Sequence, residues 1–243
     1  MRAVILAAGR GRRMKELGDQ IPKGLIKLGD KPLLEYQLFA LRQAGISEIA
    51  LVTGYRDDLF EHYDLVKFHN GLWENTNMVT SLNCATDWLK AEPCIVSYSD
   101  IFYEISAVTS LLENKDELAL TYDPDWLKLW TQRFRNPLID AETFRLGSNH
   151  RLLEIGKKPT STDEIEGQYM GLLRLTPKAW AEILRLRTGL SSVERDKIDM
   201  TGILQFVLEA GRISITALPY FGHWGEVDSV DDLQLYESFL ASN

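Results

Sequence analysis

The opening stretch, from Arg2 to Lys23, constrains this chain most. Ala3-Val-Ile-Leu-Ala-Ala8 is apolar without alternation, as in a strand buried on both faces. It breaks at Gly9 and Gly11 into a loop carrying Arg10, Arg12, Arg13 and Lys15, and closes at Ile21-Pro22-Lys23. Glycines let the backbone approach a ligand and leave N–H donors free, while arginine offers forked, charge-assisted bonds to phosphate oxygens. The pattern predicts a cradle for an anion with several negative groups. Met14 stands where a dinucleotide-binding Gly-x-Gly-x-x-Gly needs its third glycine, and no Gly-Lys-Ser/Thr follows. The plain alternative is a solvated basic loop or a nucleic-acid patch.

Charge decides against the nucleic-acid patch. The chain carries a net charge of −8, so the cations of the loop are a local exception and a small anionic ligand suits them better. Two cysteines, Cys84 and Cys94, give no disulfide framework, which predicts a reduced, cytoplasmic protein. The apolar start is too short for a signal-peptide core, and no run approaches the length of a membrane span. With 243 residues the expectation is one long domain with a small lobe. The sequence leaves the oligomeric state open, a homodimer included.

Short apolar strands alternate with amphipathic helices. Leu34, Leu38 and Leu41 share one face of a helix begun at Pro32 and capped near Gly45. Strands are expected at 48–53, 65–68, 94–97 and 118–122, a short helix at 58–63, and a helix over 78–89 capped by Asn77. From about Asp123 to Glu166 the pattern changes to short strands, 142–146 and 152–155, with a Trp-rich link at 126–130. This predicts a small lid lobe inserted at about 123–169. Strands return at 170–175, 213–217 and 225–228, with helices at 177–186, 201–210 and from Ser229, where Ser229-x-x-Asp232 has the form of a capping box. The fold class that results is α/β, a mostly parallel mixed sheet with helices on both faces, Rossmann-like. Ligands of such sheets bind beyond the carboxyl ends of the strands, where the opening loop, Gly54-Tyr55 and Asp100 all fall.

Asp100 and Asp228 each end a predicted strand. A single aspartate there is as easily a turn or cap residue. Two of them facing a loop of cations suit Mg²⁺, which takes one or two carboxylates together with phosphate oxygens and water.

Leu6-Ala-Ala-Gly9-x-Gly11-x-Arg13 followed by Pro22-Lys23 resembles the signature loop of the nucleotidyltransferases that make nucleotide sugars and CDP-alcohols. Glu16 and Gly18 depart from it, standing where the family often has proline and threonine. The resemblance implies a nucleotide held along Leu6, Ala7, Ala8, Gly9 and Gly11, with Arg13 and Lys23 neutralising its phosphates. Ser97-Tyr98-Ser99-Asp100 falls on the family's Asp-x-Asp, with Tyr98 replacing the first acid, and Glu226-Val-Asp228 falls on its other metal-binding aspartate. Asn77-x-x-x-Ser81 is similar to a stretch of the phosphocholine and phosphonate cytidylyltransferases that lines the nucleotide pocket; plain helix capping is the alternative for Asn77.

The resemblance extends to the acceptor side. Hexose-phosphate members place Lys-Pro where Lys157-Lys158-Pro159 stands, which implies Lys158, or else Lys157, on the acceptor's phosphate; a solvated edge strand is the alternative. Glu166 and Tyr169 lie on that side too, and Glu166 could meet a cationic acceptor. Trp126, Trp130 and Trp224 would box a quaternary ammonium or belong to the core. Arg133 and Asp140 belong to the lid. Residues 130–143 and 164–172 resemble cytidylyltransferases acting on phosphonates and phosphorylated amino-acid acceptors, among them the phosphoglutamine-type enzymes of capsule phosphoramidate synthesis. His62, His69, His150 and His223 have no metal spacing and no Ser-His-Asp arrangement is visible. A phosphate monoester, dianionic near pH 7, needs no such base to attack.

The expectation is therefore a Mg²⁺-dependent transfer of CMP from CTP to a small phospho- or phosphono-acceptor, releasing pyrophosphate. The rivals are a hexose-1-phosphate nucleotidyltransferase using UTP or dTTP, a glycosyltransferase, and a non-catalytic nucleotide-binding domain. The short middle segment speaks against the first and Tyr98 against the second. Arg13, Lys23, Asp100 and Asp228, all present, speak against the third.

Overall fold

The computed structural model describes residues 1–14 and 20–241. Lys15, Glu16 and Gly18 of the opening loop lie outside the described residues. In chain order the strands are β1 (Arg2–Ala7), β2 (Lys27–Leu28), β3 (Lys31–Pro32), β4 (Ile49–Thr53), β5 (Val66–His69), β6 (Cys94–Tyr98), β7 (Ile101–Tyr103), β8 (Leu118–Asp123), β9 (Phe144–Leu146), β10 (Leu152–Ile155), β11 (Gln168–Leu175), β12 (Ile215–Pro219) and β13 (Trp224–Glu226). The helices are α1 (Leu33–Gln43), α2 (Met78–Asn83), α3 (Thr86–Ala91), α4 (Ile105–Glu113), α5 (Trp126–Arg133), α6 (Pro177–Thr188), α7 (Ser192–Lys197), α8 (Met200–Ala210) and α9 (Val230–Ala241).

Seven strands form one sheet in the order β12-β8-β11-β6-β1-β4-β5. The uninterrupted apolar run of β1 places it in the interior, paired in parallel with β4 and with β6. The pairs β4–β5 and β8–β12 are parallel as well. β11 is antiparallel to both β6 and β8, so the sheet is mixed, as expected. Its direction follows from the inserted segment. That segment leaves the sheet after Asp123 and re-enters at Gln168, which is the register partner of Asp123. A chain that returns at the edge from which it left must run backwards through the sheet. α1 packs with α4, and α6 packs with α3 and α8, so that helices clothe the sheet.

Local chemistry sets most element ends. Thr176 and Asp199 cap α6 and α8 through their side-chain oxygens, and Ser191 with Glu194 forms a capping box at α7. Several boundaries differ from expectation. Pro32 is the residue before α1, in extended conformation, not its first helical residue. The helix expected over 78–89 opens at Cys84–Ala85 into α2 and α3. The Trp-rich link is helical, because Trp126 and Trp130, four apart, bury the same face of α5. The strand expected at 225–228 does not join the main sheet. As β13 it pairs with β7 in a separate antiparallel ribbon. No helix among the described residues is long and apolar enough to cross a membrane.

Candidate active site

The ribbon of β7 and β13 brings the two predicted carboxylates together. Asp100 sits in the turn between β6 and β7, and the Asp100 carbonyl accepts the N–H of Val227 at 2.8 Å. Asp228 follows one residue later. Glu226, two residues before Asp228 and on the same face, joins them. Oxygens of Asp100, Glu226 and Asp228 all lie within 4.8 Å of one another.

The opening loop faces this trio. Lys23 Nζ donates to Asp100 Oδ2 at 2.8 Å and to Asp228 Oδ1. Arg13 reaches Asp228 at 2.6 Å and Asp140 at 3.0 Å. A second small core explains why the loop ends here: Met14, fully buried, packs with Leu28, Leu33, Val227 and Tyr236. Anchoring Met14 against Val227 sets its neighbour Arg13 beside Asp228. Gly11 has φ of +68°, and a Cβ there would lie 2.6 Å from Lys23 Cγ. Glycine is thus required both for the turn and for the passage of the lysine stem.

Electrostatics make the trio a frustrated anionic site. Burial, then the charge of Asp228, pushes Glu226 up to about 8, with Arg133 opposing. Burial also raises Asp228 against the pull of Lys23. Burial works against the Lys23 ammonium, yet Asp100, Asp228 and Glu226 outweigh it and hold its pKa above the ordinary lysine value. Asp100 Oδ1 is buried with no hydrogen-bond partner among the described residues. An oxygen-only donor set with an unsatisfied carboxylate oxygen fits a hard divalent cation.

Two cavities open on either side of this cluster and share Arg13, Met78 and Tyr98. The first, of about 270 Å³, is lined by Leu6, Ala8, Gly9, Gly11, Lys23 and Asp100 on one side. Asn77, Ser81 and Trp73 line the other. Ala7 is buried behind it and does not line it. Asn77 does cap α2, through Met78 N–H at 2.8 Å, while still facing the cavity. The second cavity, of about 210 Å³, lies between the trio and the inserted segment, where Trp130, Glu142, Thr143, Gln168 and Tyr169 line it. Tyr98 divides the two; Gly171, with φ of +82° and its missing Cβ 2.7 Å from the Tyr98 ring, leaves room for that ring.

Five acceptor-side features lie elsewhere than in the acceptor site that the resemblance implies. Lys158 lines neither cavity; its Nζ donates to the carbonyls of Leu138 and Ile139, at 2.5 and 2.6 Å, and so ties down the turn before Asp140. Lys157 points away, paired with Glu154 at 2.9 Å. Glu166 accepts the N–H of Leu146 and lines neither cavity. Arg133 does not face an acceptor. Its side chain is fully buried, at 2.8 Å from Asp232 and 3.2 Å from Glu226, and it buttresses the carboxylate trio from behind. The tryptophans do not form a box around a cavity. Trp126, Trp130 and Trp224 pack on one another at 6.1 and 6.3 Å between ring centroids, and the Arg133 guanidinium already lies 5.0 Å from the Trp130 ring.

Sequence reasoning missed Glu226, Glu142 and Asp199. The i, i+2 spacing of Glu226 and Asp228 on an extended segment would have found the first. The other two meet only through the fold.

The MobA-like NTP transferase domain model matches residues 3–160. The CTP:phosphoglutamine cytidylyltransferase of Campylobacter jejuni is 36% identical over 251 residues, covering 97% of this chain and 98% of that protein. The choline-phosphate cytidylyltransferase of Streptococcus pneumoniae is 40% identical over 146 residues, 59% of this chain and 52% of that one. Among solved structures, the inositol-1-phosphate CTP transferase of T. maritima superposes with a TM-score of 0.77 at 19% identity, covering 97% and 93% of the two chains. The chain belongs to the nucleotidyltransferase family of MobA-like NTP transferase domains.

Proposed function

We propose that this chain is a cytidylyltransferase that moves CMP from CTP to a small acceptor bearing a phosphate or phosphonate. One observation carries the reading: a loop of cations and a trio of carboxylates meet at the seam between two cavities, one framed by the opening loop and the other by the inserted segment. The first cavity holds the nucleotide along Leu6, Ala8, Gly9, Gly11, Asn77 and Ser81. Segment 123–169 serves as the acceptor lobe. An acceptor oxygen attacks the α-phosphorus in line; the new P–O bond forms as the bond to the β-phosphate oxygen breaks, and pyrophosphate leaves. Two reactants held on either side of Arg13 gain the advantage of alignment.

Arg13 and Lys23 neutralise charge that builds on the phosphoryl oxygens, from positions fixed before substrate arrives. Asp100, Glu226 and Asp228 would hold Mg²⁺, which when bound polarises phosphate oxygens and offsets their charge. The phosphoglutamine relative carries CTP in its name and the choline-phosphate relative is named a cytidylyltransferase, which supports the choice of nucleotide. A reaction that consumes CTP suits a cytoplasmic enzyme. The test is pyrophosphate release with CTP against UTP over a panel of phospho-acceptors. Faster turnover with UTP and a hexose 1-phosphate would replace this reading by the sugar-nucleotide one.

A further inference from the structure

The first cavity has two unlike sides. Arg13, Lys23 and Asp100 stand on one, and Trp73, Thr76, Asn77 and Ser81 form the wall across from them. Given the function proposed above, a triphosphate drawn to the cations leaves the base against that wall. Behind the wall, outside the cavity, lies Asn70, just after β5 and only 4% exposed. Its neighbours fix which way its amide points. Asn70 Oδ1 accepts the Leu72 N–H at 3.0 Å, and a backbone N–H can only donate. Nδ2 therefore faces two hydroxyls, Thr76 at 3.0 Å and Ser81 at 2.9 Å, and donates to both. The Thr76 proton goes to the Leu72 carbonyl at 2.9 Å. The Ser81 proton has no acceptor among the described residues, and Ser81, though buried, lines the cavity. An oxygen that already accepts is the better donor. Were it to accept again, from a ligand, its own proton would stay buried and unpaired, which costs more than an idle lone pair.

We infer that Asn70 is a positioning residue for nucleotide choice: it sets the Ser81 hydroxyl as a donor, and that donor meets N3 of cytosine. Uracil carries a hydrogen at N3 and would oppose donor to donor. N3 is the atom of the pyrimidine edge at which a donor favours cytosine. Both bases accept at O2, and at the remaining exocyclic group a donor favours the carbonyl of uracil over the amine of cytosine. The preference for cytosine is thus held by a buried amide one layer behind the cavity.

The test reads binding, apart from turnover. CTP, UTP and 3-deaza-CTP, in which a C–H replaces N3, are titrated calorimetrically into the full chain with Mg²⁺ and no acceptor present. The wild type is expected to bind CTP about tenfold or more tighter than 3-deaza-CTP, because the Ser81 proton goes unpaired with the latter. Ser81→Ala should narrow that ratio to within about threefold. Asn70→Asp keeps the shape, but a carboxylate only accepts, so it takes the Ser81 proton and leaves a lone pair facing the base. This variant should also bind CTP and 3-deaza-CTP within about threefold of each other, and UTP should gain on CTP by about tenfold. In a Ser81→Ala background, Asn70→Asp should leave the ratios unchanged, whereas a merely structural Asn70 would shift them alike in both backgrounds. Thermal unfolding checks the folding of each variant, and the wild-type comparison needs none of them. Equal binding of CTP and 3-deaza-CTP by the wild type overturns the inference, as do wild-type ratios in a folded Asn70→Asp chain. A chain that shows the expected ratios yet never releases pyrophosphate from CTP with any phospho-acceptor overturns the proposed function instead.

Discussion

Lys23 is the point at which stability and chemistry meet. From sequence it is a mobile charge at the end of a loop. In the fold its ammonium, with 14% of its side chain exposed, lies between Asp100 and Asp228. Lys23→Met keeps the stem and removes the charge. Taking one partner from a buried pair costs about 3–5 kcal/mol, because the other charges stay buried and unmatched. At about 2–4 °C per kcal/mol for a chain of this size, Tm should drop by roughly 6–20 °C in the presence of a chelator. Millimolar Mg²⁺ should restore much of that loss, since a divalent cation neutralises the same oxygens. Turnover should fall by about 10²–10³, the usual cost of removing one preorganised charge from a transition state. The measurements are thermal unfolding with and without Mg²⁺ and pyrophosphate release. An unchanged Tm in chelator would refute the claim that Lys23 neutralises the trio. An equal loss with and without Mg²⁺ would refute the trio as a metal site.

Two further outcomes follow from buried charges. Glu142, pushed up by burial and the nearby Asp199, has a folded pKa of about 7 against an ordinary 4.5, so the native state binds more protons and the wild type loses stability as pH rises through that window. Glu142→Gln does not titrate; its unfolding free energy should exceed that of wild type by about 1–3 kcal/mol above pH 7, the gap closing toward pH 4.5, as read by denaturant unfolding across pH. Arg133→Met should cost about 3–5 kcal/mol, because Glu226 and Asp232 lose their shared partner. Arg133→Lys should recover only part of that in the same unfolding assay, since an ammonium cannot present the fork that spans two carboxylates.

The architecture was legible where local pattern decides it. The apolar run at 3–8 gave an interior strand, and the caps at Asn77 and Ser229 marked helix starts. The direction of β11 was not legible, because a strand buried on both faces reads the same either way. The loop, Lys23, Asp100 and Asp228 do meet, but for a reason that no local pattern carries: the β7–β13 ribbon, formed by segments more than 100 residues apart, sets Asp228 beside Asp100. The acceptor side was hardest. Arg133 was legible as a cation of the lid, yet only the packing of α5 against α9 turns it inward to Asp232. Lys158 and Glu166 were legible as charges, but their partners are backbone groups, which side-chain patterns do not reveal.

The most direct test of the central claim is phosphorus NMR of the full chain with Mg²⁺, CTP and a small phospho-acceptor. The account predicts stoichiometric pyrophosphate and a new P–O–P linked cytidine product, both lost in chelator and both reduced at least about 10²-fold in Asp228→Asn. Product formed at an undiminished rate by Asp228→Asn, or pyrophosphate released with no acceptor present, would contradict it.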